Sequence, residues 1–410
     1  MGEAICTTRT AMFADAIRFA DILSPVTPEA FFEEYYDTKP LLVPGRRDKV
    51  AGIMSWDQLN TLLGMTAIWS SATLQLIIDN DILAPARYCR PAIDRSGNQA
   101  LQPDARQVLS LLRQGASLVA NDIDTLTPGL TAAAHALEEA TGGKAQANLY
   151  CSWRQRQAFA VHFDSHDVHA IHCEGEKVWR IYEGRLDNPI AHPRFKTLAQ
   201  DYHDKEKGEL LMEVTLKPGD YLYLPRGQYH EALASTSASL HVTFGVTAVI
   251  GLDFVTSLFE RVVDDPLFRA NAPRPDSGDN GAVEAYIAKL ARRLAEIAGD
   301  PESIARFKTF QRGFKYPRDD YGLPGSVTSP RRYRVKAAGV ELVRHGRGWA
   351  LRGSKGSVAV PGEMREMVAW ILPLQGFSRD ELSVAFAGLR AELIDRLLAD
   401  LVAMKLVEPD

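Results

Sequence analysis

Three textures of hydrophobic and polar positions follow one another along the chain. The first, up to about residue 70, is helical. Thr27-Pro28-Glu29 reads as a helix start, with a hydroxyl at the N-cap, proline at the first helical position and an acid in the first turn. Phe31, Phe32 and Tyr35 supply its apolar face, and Lys39-Pro40 ends it before the apolar run Leu41-Leu42-Val43. Ser55 caps a second helix carrying Leu59, Leu62 and Leu63. From about residue 72 to 250 the chain turns to short β-rich runs broken by Gly, Pro, Asn and Asp. The strands expected are Leu74–Ile78, Ser117–Ala120, Asn148–Trp153, Ala158–Phe163, Val168–Cys173, Lys177–Tyr182, Leu210–Leu216, Tyr221–Leu224 and Leu240–Val246. Helices near 105–114 and 128–140 interrupt them. Many short antiparallel-looking strands with tight turns predict a barrel or sandwich.

After residue 251 the strands give way to helices. Val255, Leu258, Phe259 and Val262 fall on one helical face, and Ile287, Leu290, Leu294 and Ile297 recur at spacings of three, four and three. That second stripe must bury itself, either on its own barrel or against a second copy; periodicity alone leaves both open. The polar stretch 315–330, broken by prolines and glycines, reads as a linker. Beyond it come short strands around 332–336, 340–344 and 348–351, then helices near 363–373, 378–386 and 389–404, an order like that of a winged helix. The expected units are therefore 1–250, 251–314 and 331–410. The last helices mix Arg379, Arg390 and Arg396 with Asp380, Glu381, Glu392, Asp395 and Asp400, so they are read as packing against protein rather than DNA.

Composition narrows the field only a little. Apolar residues at 46% and charged residues at 24% are ordinary for a globular protein, and a net charge of −5 gives no ground for direct nucleic-acid binding. Cys6, Cys89, Cys151 and Cys173 make no CxxC pair, which disfavours a zinc knuckle. The N-terminus lacks the pattern of a signal peptide, and no apolar run is long enough for a membrane span, so the cytoplasm is the expected compartment.

Chemistry concentrates in Ala158–Glu183. His162 and Asp164 stand two apart on an expected strand, so both point to one face. An imidazole and a carboxylate on one face are two members of a 2-His-1-carboxylate triad, which leaves coordination positions open for a 2-oxo acid and O₂. The third member is His230, which follows the turn Lys217–Asp220, the run Tyr221–Leu224 and the turn Pro225-Arg226-Gly227. An HxD triplet alone is common in chains that bind no metal. Its pairing with this turn-strand-turn-His unit about seventy residues on is far more specific.

The set PEAFFEEYYDTKPLLV, HFDSHDV, EGEKVWRIY, LKPGDYLYLPRGQYH and SLHVTFGV resembles the JmjC family, and within it the ribosomal-oxygenase-like cupins. The resemblance covers almost the whole chain. It implies an α+β architecture: a double-stranded β-helix (the cupin or JmjC jelly roll), a helical dimerisation region and a C-terminal winged-helix-like domain. It implies iron(II) on His162, Asp164 and His230, with 2-oxoglutarate as co-substrate. Lys177, fifteen positions after His162, would pair with the far carboxylate, and Asn148, fourteen before it, would lie close to the co-substrate. A buried dicarboxylate needs such a cation to offset desolvation. Trp179 is read as core and His241 as a supporting or core residue. His166 is set aside as a ligand because Ser165–Asp167 reads as a turn. Two positions depart from the relatives: His172 stands where glutamine is usual and is expected to face the barrel interior, and Gly245 where Ser or Asn is common.

The function so implied is an oxygenase that couples decarboxylation of 2-oxoglutarate, giving succinate and CO₂, to hydroxylation by O₂ of a protein or peptide side chain, such as one on a ribosomal protein. N-demethylation is the same chemistry on an N-methyl group. The rivals are a peptide natural-product tailoring hydroxylase, a co-substrate-free cupin enzyme and a non-catalytic cupin scaffold. A homodimer is expected through 251–312.

Overall fold

The computed structural model describes residues 17–409 apart from 51, 94–98, 154–158, 235–237, 275–280, 319–331, 338, 347, 354–355, 387–388 and 390. The expected linker lies mostly outside the described residues, as do Cys6 and Arg390. The chain forms two compact units: one spans 17–318, and the described part of the other runs from 332 to 409.

The larger unit holds thirteen described strands: β1 Leu41–Val43, β2 Leu74–Ile78, β3 Asp81–Ile82, β4 Cys89–Ile93, β5 Gln99–Pro103, β6 Ser117–Ala120, β7 Lys144–Ser152, β8 Asp167–Glu174, β9 Lys177–Arg185, β10 Leu210–Leu216, β11 Tyr221–Leu224, β12 Gln228–Ala234 and β13 Ser239–Thr247. Eight form one antiparallel sheet in the order β1-β11-β8-β13-β7-β6-β2-β3, and a smaller sheet runs β10-β9-β12. The crossing order β11-β8-β13-β7 is the non-sequential pairing of a jelly roll. Burial follows position in the sheet. Every residue of β8, between β11 and β13, is buried, whereas β10, at the edge of the small sheet, is largely exposed. Gly175 makes the turn from β8 to β9 at φ +69°, where a Cβ would lie 2.0 Å from the Ala238 carbonyl oxygen.

One core fills the space between the large sheet and its helices. Thr27 caps Pro28–Glu34 by accepting from the Ala30 N–H (3.2 Å), and Phe31 is wholly buried, with its ring edge-on to Tyr223 of β11. Ser55 caps Trp56–Gly64, which buries Leu59 and Leu62. Helix Pro128–Thr141 buries Leu130, Ala133 and Leu137.

Three expectations need correction. Of the expected strand Ala158–Phe163, Ala158 lies outside the described residues, and 159–163 form no strand; His162 makes an isolated bridge with His230. The neighbouring Val161 carbonyl accepts from the Gln200 side chain (3.1 Å) instead of from a strand. The hairpin β4–β5 and the short helices Pro193–Lys196 and Gln200–Glu206, not foreseen, are local structure inserted between elements of the barrel. The face expected around Val255 to Val262 is split between helices Gly251–Ser257 and Phe259–Asp264, so Leu258 is buried while Val255 and Phe259 are exposed.

Helices Ala282–Gly299 and Pro301–Gly313 complete this unit. Of the stripe on the first, Ile297 is buried but Ile287 and Leu294 are exposed. The smaller unit contains two three-stranded sheets and helices Arg365–Ile371, Arg379–Ala385 and Ala391–Ala403 around a core that includes Tyr333, Met367, Phe377 and Leu401. Among the described residues, no helix is long and apolar enough to cross a membrane.

Candidate metal centre

His162, Asp164 and His230 each offer one ligand atom, and these atoms all lie within 4.8 Å of one another; among the described residues no other such group of His, Cys, Asp or Glu occurs. Pairing explains the convergence. The backbones of His162 and His230 exchange both hydrogen bonds (3.0 and 2.8 Å), which sets their rings 4.5 Å apart between centroids. Each imidazole then donates through Nδ1 to a nearby backbone carbonyl, His162 to Ala160 (2.8 Å) and His230 to Gln228 (3.0 Å). A carbonyl can only accept, so Nδ1 carries the proton and Nε2 is left bare for a metal. His230 Nε2 lies 3.5 Å from Asp164 Oδ2. Burial, then the charge of His162, pushes His230 down to about 4, which keeps it neutral and able to ligate. Burial works against the Asp164 carboxylate, but His166, His162 and His230 outweigh it and hold Asp164 below its ordinary value.

Two bare imidazole nitrogens and one carboxylate fit a divalent transition metal with open positions, iron(II) among them. They do not make the closed tetrahedral set of a structural zinc site.

The open side faces a cavity of about 220 Å³ between the two sheets, lined by Tyr150 of β7, Lys177 and Trp179 of β9, and His241 and Thr243 of β13 with the three candidate ligands. Lys177 is 3% exposed. Burial pushes its ammonium down to about 8, and no hydrogen bond or ion pair joins it to another described residue. A buried cation without a partner, in a cavity beside a metal-type donor set, is chemically suited to a carboxylate. Asn148 stands on the same face of β7 as Tyr150 but does not line the cavity. Its side-chain oxygen accepts from the Asp122 N–H (3.2 Å).

Trp179 is not simply core. It lines the cavity and stacks on His230, with centroids 5.7 Å apart and planes 18° apart. Its signal in the sequence was period two, since it shares a face with Lys177. His241 stacks between Tyr150 and His172, its cross-strand neighbours on β7 and β8. His172 itself does not line the cavity; its Nε2 donates to the Gly175 carbonyl (3.0 Å). His169 faces the opposite side of β8, where Nδ1 meets the Tyr221 hydroxyl at 2.7 Å.

Residues 130–253 match the family model described as JmjC domain. The chain is 26% identical over 304 residues to an uncharacterized protein, YxbC, of Bacillus subtilis (strain 168), a match covering 69% of this chain and 88% of that one. It is 26% identical over 227 residues to the bifunctional lysine-specific demethylase and histidyl-hydroxylase NO66 of Drosophila mojavensis, covering 55% of this chain and 24% of that one. It is 27% identical over 308 residues to ribosomal oxygenase 1 of Bos taurus, covering 71% of this chain and 43% of that one. The chain thus spans less than half the length of the last two relatives.

Proposed function

We propose, for a chain whose residues 130–253 match the JmjC domain model, that it is an iron(II)- and 2-oxoglutarate-dependent oxygenase acting on a protein or peptide side chain. The observation that carries this reading is the three-residue donor set opening onto a cavity that holds the unpartnered Lys177. In it, His162, Asp164 and His230 hold the metal, and Lys177 pairs with the far carboxylate of 2-oxoglutarate. Asn148, on the face of β7 that carries Tyr150, lies close to the co-substrate. Trp179 fixes the His230 ring by stacking and keeps water from one wall of the cavity. When bound, iron(II) couples decarboxylation of the 2-oxo acid by O₂ to oxygen transfer onto a C–H bond.

A polypeptide substrate is supported by the names of the relatives, histidyl-hydroxylase, lysine-specific demethylase and ribosomal oxygenase, and by a net charge of −5 that suits a basic partner. Hydroxylation is favoured; N-demethylation would use the same residues. We divide the chain into a catalytic domain at 1–250, a dimerising helical region at 251–314 and a winged-helix-like domain at 331–410. Support for the last is its set of three helices with small antiparallel sheets.

The test has three arms. Iron-loaded wild type should release succinate from 2-oxoglutarate under air. Lys177→Ala, which leaves a buried carboxylate unpaired at a cost of about 3–5 kcal/mol, should not at ordinary co-substrate levels. Asp164→Ala should lose metal in an anaerobic titration. No succinate from the wild type, even with cell extract as substrate, would favour a non-catalytic scaffold. Intact masses of ribosomal proteins and small peptides, from cells with and without the gene, then identify the substrate by one added oxygen. A change confined to a small peptide or free metabolite favours the tailoring hydroxylase.

A further inference from the structure

Gly245 sits within β13, paired with Val168 of β8 on one side and Gln146 of β7 on the other. Glycine weakens the interior of a strand because it packs nothing there, and it usually marks a close approach. No left-handed backbone calls for it here, since residue 245 is not among those at positive φ. The reason is steric. A Cβ at 245 would lie 2.7 Å from Cε1, 2.9 Å from Nδ1 and 2.9 Å from Nε2 of His166. The imidazole therefore rests directly on the strand backbone, in the space a side chain would fill.

His166 stands two residues after Asp164, in the bend that leads into β8. The three metal-type residues are not held equally. His230 lies in β12, and His162 is bridged to it, but Phe163–His166 belongs to no strand. Phe163 packs away against Tyr229 and His203. Asp164 is held by the Gly227 N–H, which donates to its backbone carbonyl (2.9 Å), and about a third of its side chain is open, against 5% for His230. A further restraint on this loop is the His166 ring, lodged on Gly245 with Nδ1 against the Asp167 carbonyl (3.2 Å). His166 is not itself in the group of ligand atoms that lie within 4.8 Å of one another.

We infer that His166 is a positioning residue for Asp164, its ring seated on Gly245 so that the carboxylate is held towards the metal. This rests on reading His162, Asp164 and His230 as metal ligands.

The probe is cobalt(II), titrated into the metal-free full chain and followed by its visible ligand-field spectrum, with thermal melting of the metal-free proteins alongside. Outer residues that orient metal ligands typically contribute 10–100-fold in affinity, so His166→Ala should bind cobalt about 10–100-fold more weakly. Its visible band should shift, while its metal-free melting stays near that of the wild type. Gly245→Ala, which evicts the ring, should weaken binding similarly. The double variant should be no worse than the poorer single one, because both break one contact. If Gly245→Ala does not fold, the His166→Ala spectrum and affinity decide. Wild-type affinity and an unchanged band in His166→Ala overturn the inference, as does a loss of metal-free stability with no spectral change. A wild type that binds no cobalt at all overturns the metal reading itself.

Discussion

At the scale of single residues, Lys177 is where burial and function meet. An isolated ammonium loses hydration when buried, and here that moves it down to about 8. In the proposed function, a 2-oxo dicarboxylate binds the charged form. Affinity should therefore be full below about pH 8 and fall as pH rises through it, approaching tenfold per unit, until the lysine's raised value in the complex no longer matters. Anaerobic calorimetry with the manganese-loaded protein measures this. A 2-oxo monocarboxylate of the same length serves as control, since it lacks the group that Lys177 meets. Equal pH dependence for both acids would remove Lys177 from the far-carboxylate role. The same scale gives Trp179 two roles, since it is buried in a core cluster with Ile181 and Leu222 and also walls the cavity. Tryptophan in a strand is most often core, and only the partner across the cavity, His230, turns it into part of the site.

At the scale of elements, the helices after β13 leave large apolar side chains in water. Val255, Phe259 and Ile287 are 60%, 63% and 57% exposed. Burying such a side chain contributes about 1.5–3 kcal/mol, so a second copy of this surface would be a strong partner. The stripe around Leu290 and Leu294 pointed to this region, but Phe259 and Ile287 are more exposed than Leu294. The wild type should run as a dimer in light scattering at micromolar concentration, and Phe259→Glu/Ile287→Glu should run as a folded monomer. A monomeric wild type rules the dimer out. Elements also show where periodicity misled. Val255 to Val262 kept a helical period across a break at Leu258, which periodicity cannot register because both pieces are helical.

At the scale of the molecule, the larger unit closes on itself through its last described residue. The Arg318 side chain is 3% exposed and pairs with Glu138 of helix Pro128–Thr141 and with Asp124 (2.8 Å), while also donating to the Ala145 carbonyl (2.6 Å). Lys315 joins Glu139, and the Lys144 ammonium lies over the Phe314 ring. Removing one partner of a buried charge cluster strands the others, so Arg318→Met should destabilise this unit by about 3–5 kcal/mol. Urea unfolding measures it. Adding Glu138→Gln should recover part of the loss, and a variant as stable as the wild type would show that the cluster contributes nothing net.

The sequence alone determined the β-rich middle of the chain, most of its strand positions and the identity of the candidate ligands. Those signals are local: period two in the strands, hydroxyl caps at Thr27 and Ser55, the turn at Lys217–Asp220, and a spaced His-Asp-His set. The tertiary structure decided what depends on neighbours distant in the chain. His162 and Asp164 proved to lie outside any strand, and a bridge to His230 rather than strand periodicity brings the three together. His172 ended outside the cavity lining, while Tyr150 and Thr243 entered it. Gly245 acquired its meaning from a ring seventy-nine positions earlier in the chain. A sequence specifies which faces want burial, but which side chains meet across a closed cavity follows from strand order and register, and those are settled only when the sheets pair.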